Sequence, residues 1–318
     1  MTLPLPCPQG WRNPSIPFHS MSAIPDYYPD QFSTSWQDRL QQTDSRLQGA
    51  VERSDFSGER KKFNLVTAFE ASEISSRLEE TPVVEFAGSE YWLYQAPCHV
   101  PTWFDKYDSH FLGQVVLPTS DTVRGHASEM NRKIDDVIIS AFFGTRYIGA
   151  AGTTTDILPS TQDIAIDYVE TGTAANSGLT IGKLRRAAKK LNEAEVPFND
   201  RYIAVTAQEA EDLLRTTEIT SGDYSNVKAL VNGGVDGLMF MGFKFIMSER
   251  LPKTSATGTT SVPVWHKSGI KLAIGERGTS MNVIPQRNDA LLIRSHLMRG
   301  AVRTENEKVV RIYCDREP

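Results

Sequence analysis

Between Pro118 and Gly144 of this 318-residue chain lies one long stretch patterned for a helix. Val123, Ala127, Met130, Ile134, Val137 and Ala141 recur at alternating steps of three and four, which lines them up as one apolar stripe. Arg124, Glu129, Arg132, Lys133 and Asp136 fall largely on the other faces. Asp121 suits the N-terminal turn and Gly144 ends the segment. A helix over Thr119–Phe143 would be about 37 Å long. Gly125 inside it costs about 1 kcal/mol relative to alanine, so packing must hold it.

After this helix the pattern is mixed. Residues 145–178 are rich in Gly, Thr and Ala and read as loop plus one strand, Asp163–Val169. A second helix is expected from Thr180 to about Glu195, with Ile181, Leu184, Ala188 and Leu191 on one face. Arg201–Val205 reads as a strand. Thr206 and Glu209 fit a capping box that opens a helix through about Arg215. Tyr224–Val231 reads as a further helical turn or two, stopped by Gly233-Gly234. Phe243, Phe245 and Met247 alternate with Lys244, Ile246 and Ser248, a strand pattern ended by Pro252. Residues 253–261 form a polar loop, and Val264–Ile274 and Met281–Ile284 are strand-like. Leu291–Arg303 and Val309–Cys314 flank the polar stretch 304–308, which predicts a hairpin.

The N-terminal region differs. Residues 1–34 hold seven of the 17 prolines and only three charges, Arg12, Asp26 and Asp30. Proline forbids helix and removes ladder donors, so this reads as an extended arm. Its aromatics set it apart from a disordered tail, and place it on a surface, its own or a neighbour's. A short polar helix is expected over Trp36–Leu47, followed by Ser54–Lys62 with the cluster Arg60-Lys61-Lys62. Phe63–Ala68, Val83–Phe86, Tyr91–Tyr94 and Val100–Phe104 are strand-like, broken by Pro82, Gly88, Pro97 and Pro101. The span 58–113 reads as a β arm projecting from the body.

Chemistry is poorly represented. Net charge is −5, without the positive surplus of a dedicated nucleic-acid binder. Cys7, Cys98 and Cys314 are widely separated and form no CxxC pair, against a disulfide framework or structural zinc. Cys98-His99 with His110 lacks a second ligand pair at metal-site spacing. Gly178–Leu184 departs from a phosphate loop in glycine spacing and in the residue after Lys183. Asp135 and Asp136 would point about 100° apart on a helix, which suits salt bridges better than a shared ion. No GxSxG, HExxH or GxGxxG occurs. No catalytic, cofactor-binding or metal residue is therefore expected, and no cofactor. No run approaches membrane-spanning length, and the first residues lack a secretion signal's pattern, so a soluble protein made in a cytoplasm is expected.

The order of these parts resembles the major capsid proteins of tailed bacteriophages with the Hong Kong 97-like fold. The local match lies in LTIGKLRRAAKKLNEAEVPFNDRYIAVTAQEAEDLL, Leu179–Leu214. Asp223-Tyr224, Gly233-Gly234 and then Gly242–Pro252 are similar to that family's glycine turn, strand and exit. Lys133–Ile139 with Gly144 resembles the end of its spine helix, and Asp38–Glu52 adds a local likeness. The resemblance implies an α+β fold in five parts. They are an N-terminal arm (1–57), an extended β loop (58–113), a peripheral lobe with the spine helix (114–144), a mixed α/β axial lobe (145–285) and return strands of the peripheral lobe (286–318).

It implies a structural, non-enzymatic subunit of an icosahedral shell, assembled in the host cytoplasm and located in the virion. A precursor shell would expand as DNA fills it. Implied partners are the chain itself in pentamers and hexamers, a scaffolding protein, a portal, a decoration protein and packaged double-stranded DNA in weak non-specific contact, with no membrane. The chain before the arm is too short for a built-in scaffolding domain, which implies a separate scaffold or none. Candidate intersubunit contacts are Trp11, Tyr27, Tyr28, Trp36, Arg60, Lys61, Lys62, Trp92, Tyr94, Trp103 and Phe104; buried in a neighbour, Trp92, Tyr94, Trp103 and Phe104 make interface anchors, and buried in their own subunit they are ordinary core. Lys183, Arg185, Arg186, Lys189 and Lys190 form a candidate basic face, either solvated and paired or turned to a neighbour or DNA. An encapsulin-like compartment uses the same fold and would carry cargo instead of a genome. An enzyme without a recognisable motif predicts a small oligomer with a pocket of converging ionisable groups.

Overall fold

The computed structural model describes residues 42–66, 71, 73, 76–77, 88–107, 119–170, 172–215, 239–254 and 258–316. Thr119–Phe143 is one helix, α1, with the predicted bounds. Its buried face shares only Met130 and Ile134 with the predicted stripe. Met130, Ile134, Ile138 and Phe142 are buried at every fourth position, and His126 extends the row one turn earlier. Val123, Ala127, Val137 and Ala141 are only partly covered. An i, i+4 row is a ridge inclined to the helix axis, and this ridge is what meets the sheet beneath.

Among the described residues four strands precede α1: β1 (Glu52–Arg53), β2 (Arg60–Val66), β3 (Gly88–Tyr94) and β4 (Ala96–Phe104). After it come β5 (Arg146–Ile148), β6 (Thr154–Asp156), β7 (Asp163–Ile164), helix α2 (Ile181–Glu193), β8 (Arg201–Val205) and helix α3 (Ala207–Arg215). The chain continues with β9 (Met239–Phe240), β10 (Phe243–Met247), β11 (Lys253–Thr254), β12 (Thr259–His266), β13 (Ile270–Ile284), β14 (Ala290–Arg303) and β15 (Val309–Asp315). The described strands form three sheets. The first has the order β1-β13-β14-β4, and α1 packs on β14. The second has the order β7-β15-β12-β8-β10-β9, with β11 beside β12. The third has the order β2-β3-β5-β6.

The second sheet centres on β8, whose five residues are all buried. It runs parallel to β10 and antiparallel to β12. Both flanking helices are capped, α2 by Thr180, which was not singled out from the sequence, and α3 by half of the expected capping box, the Thr206 hydroxyl turning to Glu209 instead of to a helix amide. Thr180 accepts the Lys183 amide at 3.3 Å, and the Glu209 carboxylate accepts the Thr206 amide at 2.9 Å. Trp265 ties the layers together. Its ring lies 4.5 Å from that of Phe142 and 5.9 Å from that of Tyr202, and its Nε1 donates to Ala50 O at 2.8 Å.

The first sheet is dominated by the β13–β14 hairpin, whose turn closes on Asn288 and Asp289 at φ 50° and 53°. Asn and Asp tolerate this left-handed region better than most residues. Only Gln95 separates β3 in the third sheet from β4 in the first. The corner passes so close to β14 that a Cβ on Gly300 would lie 2.0 Å from Tyr94 O. Glycine is required there.

Several expectations need correction. β15 does not pair with β14 as a hairpin; it lies between β7 and β12. Thr304 redirects the chain, donating its amide to Gly269 O at 2.9 Å and its hydroxyl to Ser268 O at 2.8 Å. The described part of the helix expected over Trp36–Leu47 is not helical, and only Gln48–Ala50 makes a 3-10 turn. The Arg46 and Leu47 amides are drawn to Asp135 instead. The strand over Asp163–Val169 shortens to β7, and the Val264–Ile274 strand is interrupted by a turn at Lys267–Gly269. Part of the polar loop 253–261 is strand, with β11 pairing to Thr259 and Thr260. Val83–Phe86, Tyr224–Val231 and Gly233-Gly234 lie outside the described residues.

In the third sheet Tyr91 is buried and stacks on Phe63 with ring centroids 5.3 Å apart. Burial, with Glu52 and Glu305 nearby, pushes its phenol up to about 12. An unfolded tyrosine ionises near pH 10. The stability this group contributes is therefore complete below about pH 10 and is lost as pH climbs towards about 12. Denaturant titrations of wild type and Tyr91→Phe across that window should diverge, with wild type losing more. Parallel curves would remove Tyr91 from the account of alkaline unfolding.

Candidate assembly surfaces

Three ties converge on α1. Asp135, fully buried, accepts from Gln42 Nε2 and Ser45 Oγ at 2.5 Å each, and from the Arg46 and Leu47 amides at 3.1 and 3.2 Å. Asn131 adds a bond to Thr43 O at 2.8 Å. The neighbouring Asp136 points elsewhere and makes a two-pronged pair with Arg250, both bonds 2.7 Å. At the far end, buried Arg303 donates to Phe142 O at 2.9 Å and Gly144 O at 3.0 Å. The two aspartates thus serve different partners, as their angular separation on a helix requires.

The predicted contact residues divide into groups. Trp11, Tyr27, Tyr28 and Trp36 lie outside the described residues. Arg60, Lys61 and Lys62 alternate along β2. Arg60 sits 4.9 Å over the Trp92 ring, Lys62 pairs with Glu90 at 2.5 Å, and Lys61 lies over Phe56 and Phe63. Trp92 and Tyr94 are half-buried in their own sheet. Trp92 Nε1 donates to Gly149 O at 2.8 Å, and Tyr94 meets Tyr147 edge-on at 5.2 Å. On β4, Phe104 is half-buried and Trp103 is 41% exposed, with Arg287 4.8 Å over its ring.

The basic face loses its first member. Lys183 is fully buried, and its Nζ donates to the carbonyls of Ile166, Ser177, Gly178 and Tyr313 at 2.6–3.0 Å. Helical side chains lean back towards the N-terminus, which brings this one over the carbonyls preceding α2. Burial lowers its affinity for a proton. The others have local partners: Arg185 with Glu170 at 2.8 Å, Lys189 with Glu193 at 3.5 Å, Lys190 with Thr161 O, and Arg186 over the Tyr168 ring.

The structure also exposes apolar side chains that were not singled out from the sequence. Met281 and Val283 are more than half exposed near the outer end of β13, as are Ile157, Phe198 and Met239 elsewhere. The alternation at Met281–Ile284 was the available signal for the first two. On β4 successive side chains alternate faces. The Cys98 thiol meets the Met130 sulfur at 3.7 Å, while His99 is exposed. Among the described residues no three His, Cys, Asp or Glu side chains gather, and no helix is long and apolar enough to cross a membrane.

Comparison with known proteins places this architecture. Residues 24–316 match the phage capsid protein family. A search of curated protein sequences found no match. Among solved structures, the head of Helicobacter pylori bacteriophage KHP40 is similar at TM-score 0.69 and 11% identity, covering 95% of this chain and 100% of that one. The capsid of cyanophage P-SCSP1u gives TM-score 0.67 and 15% identity, covering 91% and 93%. A structure from Mycobacterium phage Che8 gives TM-score 0.65 and 17% identity, covering 91% and 98%. The fold is α+β and Hong Kong 97-like. The chain belongs to the phage capsid protein family: it is a structural subunit of a phage shell, and its place is the virion capsid.

Proposed function

We propose that this subunit builds the icosahedral head of a tailed double-stranded DNA phage as pentamers and hexamers. The observation that carries the reading is the family match over residues 24–316, which takes in every described residue. In this reading the second sheet with α2 and α3 forms the axial lobe and α1 with the first sheet the peripheral lobe, so β13 goes with the peripheral lobe and β15 with the axial lobe, the reverse of the bounds expected from the sequence. The β loop within 58–113 and the arm within 1–57 reach over neighbours, apart from residues 42–53 and β4, which their own subunit holds. Contacts of this kind are heterologous and close into rings, and obligate interfaces bury thousands of Å². Stability then belongs to the assembly. Trp103, with Arg287 over its ring, and the half-buried Trp92 and Tyr94 are the anchors of these contacts. Assembly takes place in the host cytoplasm, with a scaffolding protein, a portal and a decoration protein. The precursor shell expands on packaging, with weak non-specific DNA contact. The chain performs no catalysis.

Electron microscopy of the purified protein, alone and with the products of neighbouring genes, tests this. Closed particles or capsomer rings, containing nucleic acid when taken from infected cells, are expected. A uniform dimer or tetramer under every condition would refute the shell reading, and particles filled with protein cargo would favour a compartment. Deleting residues 1–34 should misdirect assembly into tubes, open sheets or free subunits. Uniform closed shells from that truncation would remove the arm from the mechanism.

A further inference from the structure

His126 is 5% exposed, and no described side chain before it in α1 is buried. Its Nε2 lies 2.8 Å from Thr102 Oγ1 on β4, and its Nδ1 lies 3.3 Å from Ser295 Oγ on β14. Ser295 Oγ lies in turn 2.9 Å from Thr279 Oγ1 on β13. One imidazole thus fastens the first half of the helix to three neighbouring strands. The ties through Asp135, Asp136 and Arg303 grip α1 further along, from Asn131 onward. Gly125, directly before His126, is the weakest helix former in α1. A Cβ there would meet no neighbour within 4 Å, so packing does not demand the glycine.

A neutral imidazole offers one donor and one acceptor, and a hydroxyl can answer either. The cation offers two donors, which the same hydroxyls can accept. Hydrogen bonding therefore does not oppose charging; the surroundings do. Cross-strand partners share a face of the sheet, and alternate residues follow them. Among the described residues, the titratable groups that the strands turn to this side are Cys98 on β4, Arg277 on β13 and Arg299 on β14. None is an anion. On α1 itself the carboxylates of Asp121 and Glu129 already pair with Arg124 and Arg132. Burial holds the proton affinity of the ring below that of an ordinary histidine.

We propose that His126 is a pH-sensitive clasp. Neutral, it holds the first half of α1 against the sheet. Charged, it seeks water, and residues 119–127 lift away while the rest of the helix stays fastened. The clasp works inside one subunit, with or without neighbours around it. Because the folded state resists protonation, the held form is complete above the ordinary histidine value of about 6.5. It loses ground as pH falls below that, by up to about tenfold per pH unit.

Hydrogen exchange of the full-length protein, corrected for the intrinsic pH dependence of amide exchange, tests this. Protection at residues 119–127 should fall about tenfold or more between about pH 7.5 and about pH 5, while protection at residues 131–143 holds. His126→Gln keeps a neutral donor and acceptor in place and should abolish the fall. Loss of both halves together, protection of 119–127 unmoved by pH, or an undiminished fall in His126→Gln overturns the clasp. If that variant does not fold, NMR of the ring-labelled wild type decides. Release of 119–127 should track the ionisation of His126, and release while that ring still gives its neutral signal overturns the proposal.

Discussion

Arg303→Ala is expected to cost the subunit about 3 to 5 kcal/mol and to fray the last turn of α1. The last carbonyls of a helix have no donor within it. Here Arg303 supplies one, reaching Phe142 O and Gly144 O, with a longer approach to Ala141 O at 3.5 Å. Its Nε donates to Asn306 Oδ1 at 2.8 Å, and Asn306 in turn donates to Asp156 Oδ2 at 3.0 Å. The positive charge also suits the negative end of the helix dipole. Burial pushes the guanidinium down, and nearby Arg146 adds repulsion, yet an arginine stays charged at neutral pH. Alanine would leave buried carbonyls without donors and a void where the side chain lay. Arg303→Met fills the volume but donates nothing, so its cost should be smaller, about 2 kcal/mol. Urea unfolding of the purified subunit measures both, and hydrogen exchange at residues 139–144 locates the damage. Wild-type stability in both variants would show that the cap is dispensable.

Asp135→Asn should release the segment that leads into the body. The carboxylate only accepts, and all four of its partners donate. An amide in its place turns an NH2 group towards N–H and O–H donors. The expected loss is about 2 to 4 kcal/mol, since charge-assisted bonds are the stronger kind. Leu47, Ala50 and Val51, all buried, would lose their cover. Trp265 reports the event, because its Nε1 bonds to Ala50 O. Its fluorescence should shift, and protease should cut within residues 42–50. Asp136→Asn is the control, because the half-exposed pair with Arg250 is worth less. Equal behaviour of the two variants would deny Asp135 its special place.

The sequence made some of this legible and concealed the rest for physical reasons. The bounds of α1 and β8 were readable because Pro118, Gly144 and the capped helix after β8 are local signals. The buried face of α1 was not. Apolar periodicity passes over His126, which sits between Thr102 Oγ1 at 2.8 Å and Ser295 Oγ at 3.3 Å, and over Asp135, which is buried by its donors. Lys183 was misassigned for the same reason: four carbonyls from outside its helix pull a charged side chain indoors. The pairing of β15 depends on Thr304 finding carbonyls some 35 residues away in sequence, which no window reveals. The close approach of Gln95 to β13 was equally hidden, since Gly275 gains meaning only when Gln95 lies above it.

The corner at Gln95 has a mechanical meaning. One residue separates two sheets, and Gly300 lets the chain turn there with no slack. Torque applied to the third sheet by a neighbour passes straight into β4 and on through its bonds to β14. α1 rides on β14, so a pull on the outside of the subunit arrives at its spine as rotation. A subunit jointed in this way works as a lever with a fixed fulcrum, and force received at one rim is passed on at the other.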